Sequence, residues 1–163
     1  MTDSLQDLLC KQAEHERYAA ASYTALSLWC VSEDYSGFSS FFAKQAAEEY
    51  QHMSTFHQYL LDRGILPVFE SQEAPKGTFE GLTEAAKVAQ SLEVNNTAGI
   101  TACYEAALAE KDYPSQNMLL KFIEEQVEEE AWAAKMVTLT ERLDCPGALY
   151  QLDRHIEVEL GEA

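Results

Sequence analysis

The sequence predicts an all-α fold: a four-helix bundle with one long crossover and a short fifth helix at the C-terminus. Three observations predict it. Gly and Pro are scarce, 7 and 4 among 163 residues, and they gather at a few breaks. Between the breaks run four long segments rich in Ala, Leu, Glu, Gln and Lys, all strong helix formers. No stretch sustains the alternation of a half-buried strand.

The breaks set the elements in order. A first helix near 4–32 ends before the lone Gly37, and a second, near 36–63, ends where Gly64 and Pro67 open a segment that continues through Pro75, Gly77 and Gly81. A third helix near 82–111 stops at Asp112-Tyr113-Pro114. A fourth, near 114–143, stops at Asp144-Cys145-Pro146-Gly147, and a shorter fifth covers 147–160. Short connections after helices one and three make antiparallel hairpins. The 64–81 connection, at roughly 3.3 Å per extended residue, can cross the full length of a ~42 Å helix. Helices two and three are then parallel, which is the one-crossover bundle. Residues 1–163 are expected to form one domain.

Charge and cysteines exclude several function classes. Lys and Arg number 11 against 28 Asp and Glu, a net charge of −17. That argues against nucleic-acid partners and against anionic membrane surfaces. The chain is nonetheless 47% apolar and 10% aromatic, so the acidity does not signal disorder. Cys10, Cys30, Cys103 and Cys145 form no CxxC pair and read as free thiols in a reducing cytoplasm. Met1 to Gln12 carries acids and no long apolar run, so no signal peptide is expected. The uncharged stretch Tyr18–Ser32 is too short to span a bilayer.

Laid at 4,3,4,3 spacing, the core stripe carries an unexpected residue at mid-height. Helix one gives Leu5, Leu9, Gln12, Glu16, Ala19, Tyr23, Leu26 and Cys30; helix two gives Phe38, Phe42, Gln45, Glu49, His52, Phe56 and Tyr59. Helix three gives Leu82, Ala86, Ala89, Glu93, Asn96, Ile100 and Cys103; helix four gives Leu119, Phe122, Gln126, Glu129, Ala133, Met136 and Thr140. Every stripe is apolar at its ends and holds one Glu near its centre, so Glu16, Glu49, Glu93 and Glu129 meet at one level. Four facing carboxylates in a core are costly unless they are protonated or share cations. His52 stands one turn after Glu49. Glu-x-x-His with Glu on the other helices is a dinuclear metal arrangement, with a ligand set that suits Fe(II), Mn(II) or Zn(II). Beside it, Glu124, Glu125, Glu128, Glu129 and Glu130 crowd one helix and Glu48 precedes Glu49. This group reads either as a third metal site or as a solvated acidic face.

The segments LLCKQAEHERYAAASY, FFAKQAAEEYQHM and EKDYPSQNMLLKFIEEQVEEE resemble the non-haem ferritins of the bacterial type, over about residues 5 to 160. The resemblance implies a ferritin-like fold and an iron store with ferroxidase activity. Two Fe(II) would be oxidised by O2 or H2O2 at a di-iron centre and kept as ferric oxide inside a homo-oligomeric 24-subunit shell. It implies Glu16, Glu49 and His52 on one iron, and Glu49, Glu93 and Glu129 on the second, with Glu49 bridging and Gln126 beside them. Glu48, Glu125 and Glu128, with Glu129 shared, resemble an additional iron site facing the cavity. Tyr23 matches a tyrosine that donates an electron in such proteins; a core aromatic is the equally open reading.

The chain also departs from its relatives. Gln126-x-x-Glu129 stands where bacterioferritins have Glu-x-x-His, and Tyr50 stands where their haem-ligand Met would be, so no haem is expected. Lys121 replaces a frequent Trp, and Gln116 and Leu119 replace acids of a three-fold pore. His15, His57 and His155 match no ligand. Two other classes compete: a di-iron oxygenase relative, and a non-catalytic acidic bundle that sequesters cations.

Overall fold

The computed structural model describes residues 4–143 and 145–161. Asp144, within the fourth break, and the terminal residues 1–3 and 162–163 lie outside the described residues. Five helices form: α1 (Leu5–Ser32), α2 (Ser36–Asp62), α3 (Leu82–Glu110), α4 (Tyr113–Arg142) and α5 (Pro146–Leu160). Each expected boundary is met within one residue, because the stop signals are local. The Ser4 hydroxyl caps α1 by accepting from Asp7 N. Gly64, at φ 74°, takes the left-handed turn that closes α2, with Ile65 N donating to Leu60 O at 2.9 Å. The Asp112 carboxylate accepts from Ser115 N at 3.2 Å and caps α4, with Pro114 in its first turn.

Polar contacts at one end of the bundle fix the topology. The Arg63 guanidinium at the end of α2 donates to both Asp112 oxygens, at 3.1 and 2.7 Å, in the α3–α4 turn. Leu5 N at the start of α1 donates to Glu110 Oε1 at the end of α3. Helices α2 and α3 therefore end together and run parallel, so the 63–81 crossover travels the length of the bundle. It runs along α1. The buried Glu14 carboxylate accepts from Arg17 and Glu70 N, and Gln72 donates to Glu14 O at 2.6 Å. Further on, Phe79 sets its edge against Trp29 at 5.2 Å.

The core is two apolar clusters with a polar layer between them. One holds Tyr23, Leu26, Phe38, Phe42, Trp132 and Met136. The other holds Leu9, Phe56, Leu60, Ile100, Leu119 and Phe122. Between them lie buried Gln12, Glu16, Glu49, Glu93, Asn96, Gln126 and Glu129. On α2 the expected stripe holds through Glu49 and again at Phe56, but His52 and Tyr59 are only half-buried, while Met53 and Leu60, each one residue further on, are buried. A straight helix drifts ~20° per heptad against a 3.5-residue repeat, which turns the inward face by the end of so long a helix.

Helix α5 packs on the start of α2. The buried Asp153 carboxylate accepts from Phe38 N at 2.9 Å, and a β-carbon on Gly37 would stand 1.8 Å from Asp153 O. Gly37 is thus a seat for α5 as well as a break in the sequence pattern. Asp153→Ala leaves a buried N–H without its partner and is expected to destabilise the chain by about 1–3 kcal/mol. Chemical denaturation checks this, and a change below a few tenths would contradict it.

Candidate metal centre

The middle of the bundle collects its functional groups because each helix delivers one Glu at the same height. Glu16 (α1), Glu49 and His52 (α2) each present a ligand atom within 4.8 Å of the others. His52 Nδ1 lies 3.8 Å from Glu16 Oε2 and 3.6 Å from Glu49 Oε2. Its ring edge meets Phe122, with centroids 5.2 Å apart, which limits its rotation. Its other nitrogen, Nε2, faces Glu125 Oε2 at 3.5 Å. The imidazole is therefore held between the carboxylates it faces and an acceptor behind it, the usual support of a metal-binding His.

Amides hold the carboxylates from the other side. Gln12 Nε2 donates to Glu16 Oε1 at 2.7 Å. Asn96 Nδ2 stands 3.3 Å from both Glu16 Oε2 and Glu49 Oε2, tying two helices to a third. Gln126 Nε2 is shared by Glu93 Oε2, Glu93 O and Thr97 Oγ1. The fully buried Tyr23 hydroxyl donates to Glu93 Oε1. Trp132 Nε1 donates to Glu129 Oε2 at 2.5 Å.

The residues expected on a second metal are thus only partly assembled. Glu49, Glu93 and Glu129 are all buried in the same layer, but among the described residues the close three-ligand cluster is Glu16, Glu49 and His52. Glu93 is engaged by Tyr23 and Gln126, and Glu129 by Trp132. Glu48, Glu125 and Glu128 line one cavity with Glu129, Trp132, Lys135 and Leu160, about 330 Å³ in volume. Glu125 and Glu128 are exposed and Glu48 half-buried, so they line that cavity without closing into a cage. Tyr50 is exposed and Met53 is packed inside.

Electrostatics single out the inner carboxylates. Burial raises Glu16 well above the ordinary range, and neighbouring Glu49 raises it further. Burial pushes Glu49 up to about 8, with Glu93 and Glu129 adding repulsion. Glu129 rises to about 8 by burial and the charge of Glu93, against the pull of Trp132. Burial lifts Glu93 to about 7 even though Tyr23 and Gln126 donate to it. Tyr23 itself is raised far above its usual value by burial and by Glu93. A layer of carboxyls held near neutrality can exchange their protons for a cation.

Sequence reasoning gave no role to Gln12, Asn96, Thr97 or Trp132. Gln12 and Asn96 stood in the stripe, four residues before Glu16 and three after Glu93, the spacing at which helical side chains meet. Trp132 follows Glu129 by three and carried the same signal.

Comparison with known proteins places these features. The sequence-family model described as Ferritin-like domain matches residues 6–143. The chain is 34% identical over 157 residues to a protein named bacterial non-heme ferritin from Staphylococcus aureus, covering 96% of this chain and 95% of the relative. It is 32% identical over 158 residues to one of the same name from Staphylococcus haemolyticus. Among solved structures, an open pore ferritin from the hyperthermophilic archaeon Archaeoglobus fulgidus superposes with a TM-score of 0.88 at 30% identity, covering 97% of each chain.

Proposed function

Because the chain belongs to the ferritin family, we propose that it stores iron, and that it oxidises Fe(II) to Fe(III) in the polar layer of its bundle before storage. The observation that carries the proposal is the convergence of Glu16, Glu49 and His52 within 4.8 Å, in a core layer whose carboxyls resist ionising alone. Fe(II) is the substrate. One ion binds to Glu16, Glu49 and His52; a second binds to Glu49, Glu93 and Glu129 through the lone pairs that Tyr23, Gln126 and Trp132 leave free on Glu93 and Glu129. Glu49 is shared. Each Fe(II) gives one electron, and O2 takes two electrons and two protons to leave as H2O2. Carboxylates are hard ligands and favour Fe(III) over Fe(II), which supplies the driving force.

Tyr23 donates to Glu93 and so stands beside the iron pair; where O2 is reduced fully to water, taking four electrons and four protons, two electrons come from the pair, one from a further Fe(II) and one from Tyr23. Glu48, Glu125 and Glu128 receive Fe(III) on its way to the mineral and form the third site. The chain acts as one domain in a 24-subunit shell without haem, in the cytoplasm. No helix among the described residues is long and apolar enough to cross a membrane. Native mass after iron loading tests storage: a large shell retaining ferric oxide is expected, whereas a monomer or dimer that releases iron would refute storage.

Trp132→Phe keeps an aromatic ring beside Phe41 and removes the donor to Glu129. The second metal is expected to bind about tenfold more weakly, while the first is unaffected. Anaerobic titration with Co(II), followed by its visible absorption, separates the two; equal weakening of both sites would contradict the assignment.

A further inference from the structure

Glu125 belongs to two places at once. It lines the outer cavity of about 330 Å³ with Glu48, Glu128, Glu129 and Trp132. It also lines a second cavity, of about 550 Å³ between α2 and α4, that contains His52 and Phe122. Glu128 lines the first of these but not the second. The Glu125 side chain is 53% exposed, whereas the His52 side chain it faces is 13% exposed. One carboxylate thus reaches from the outer cavity to the imidazole of the inner centre.

What Glu125 does for His52 follows from which ring nitrogen faces which group. Nδ1 faces Glu16 and Glu49, at 3.8 and 3.6 Å, and Nε2 faces Glu125 at 3.5 Å. A neutral imidazole carries one proton, and an acceptor on one side holds it there. Glu125 draws that proton to Nε2 and leaves the Nδ1 lone pair for a metal shared with Glu16 and Glu49. The edge of Phe122 against the ring limits the rotation that would exchange the two nitrogens. The same carboxylate cannot serve both neighbours in full. Once it coordinates a cation in the outer cavity, it has less charge to offer the imidazole N–H.

We propose that Glu125 links the two sites antagonistically: a cation in the outer cavity draws Glu125 from His52 and loosens the inner position formed by Glu16, Glu49 and His52. The linkage rests on the ferroxidase reading and on the third site within it. Iron that has moved outward then lowers the hold on the ion left behind, so the inner centre empties for the next substrate. By reciprocity, a filled inner position weakens outer binding by the same factor.

Co(II) and Tb(III) test the linkage on the assembled, metal-free protein. About two Co(II) per chain fill the inner positions. Tb(III), a hard ion suited to carboxylates, is then added, and its emission, sensitised by Trp132 in the outer cavity, reports filling of that cavity. The quantities read are the visible absorption of bound Co(II) and the free Co(II) after ultrafiltration. In the parent and in Glu128→Gln, filling the outer cavity is expected to weaken Co(II) at His52 about tenfold. Glu125→Gln removes the same charge, and its amide oxygen still accepts from His52 but is a poor ligand for Tb(III); there the change is expected to stay below about twofold. Equal weakening in the two variants is plain repulsion between cations and overturns the linkage, as does a parent whose Co(II) is indifferent to Tb(III). Rapid Fe(II) oxidation by that same parent leaves the function standing. A parent that retains no inner Co(II) and oxidises Fe(II) no faster than buffer overturns the ferroxidase reading and the linkage with it.

Discussion

Glu49→Ala is expected to abolish fast Fe(II) oxidation, lowering the initial rate by about 100-fold or more. The size follows from its position. Glu49 faces His52 at 3.6 Å, meets the amide of Asn96 at 3.3 Å and feels the charges of Glu93 and Glu129. It is the carboxylate that both proposed iron positions share, so its loss empties both. Loss of a residue that merely supports a ligand weakens metal binding by about 10–100-fold; loss of the shared ligand should exceed that. Glu48→Ala, one residue earlier but half-buried in the outer cavity, should slow clearance of Fe(III) and leave the first turnover near normal. Stopped-flow absorbance of ferric product compares them, and equal first-turnover rates would contradict the roles assigned.

The second large effect is on stability, and its sign is unusual. For metal-free protein, the inner carboxyls have folded values raised above their unfolded ones: Glu49 and Glu129 to about 8, Glu93 to about 7, and Glu16 well upward. Between about pH 5 and pH 8 the native state then binds more protons than the unfolded state, so stability falls as pH rises. His15 and His57, lowered by burial, act in the opposite direction near their ordinary value. They are two groups against four. Thermal melts of the metal-free chain should show Tm decreasing across this range. Zn(II), which cannot be oxidised, should restore most of the loss at pH 8 by replacing the protons. Glu93→Gln should flatten the slope, whereas Glu124→Gln, on the exposed face, should not. A Tm that rises from pH 5 to pH 8 without metal would contradict the raised values.

What the sequence reveals depends on whether a signal is local. Ser4, Gly64, Asp112 and Pro146 terminate or start helices through their own backbone and neighbours, so the boundaries could be read directly. The central Glu of each stripe could be read because helical spacing alone puts it inward. The partners that orient those Glu residues depend on rotation of one helix against another, which no single stripe encodes. Asn96 reaches carboxylates on two other helices, and Glu125 reaches His52 from across the bundle. Gly37 and Gly99 illustrate the same limit. One looked like punctuation and the other went unread, yet each is a place where a side chain would strike another helix. The path of the crossover along α1 rests on Glu14 and Arg17, whose pattern in the sequence is that of any exposed helix face.

The most direct measurement is a count. Metal-free protein is loaded anaerobically with increasing Fe(II), mixed with O2, and the amplitude of the fast oxidation phase is recorded per chain. The amplitude should rise linearly and break at about two Fe(II) per chain, the capacity of a dinuclear bundle site. Oxidation no faster than in protein-free buffer, at any loading, would contradict a catalytic centre in this bundle.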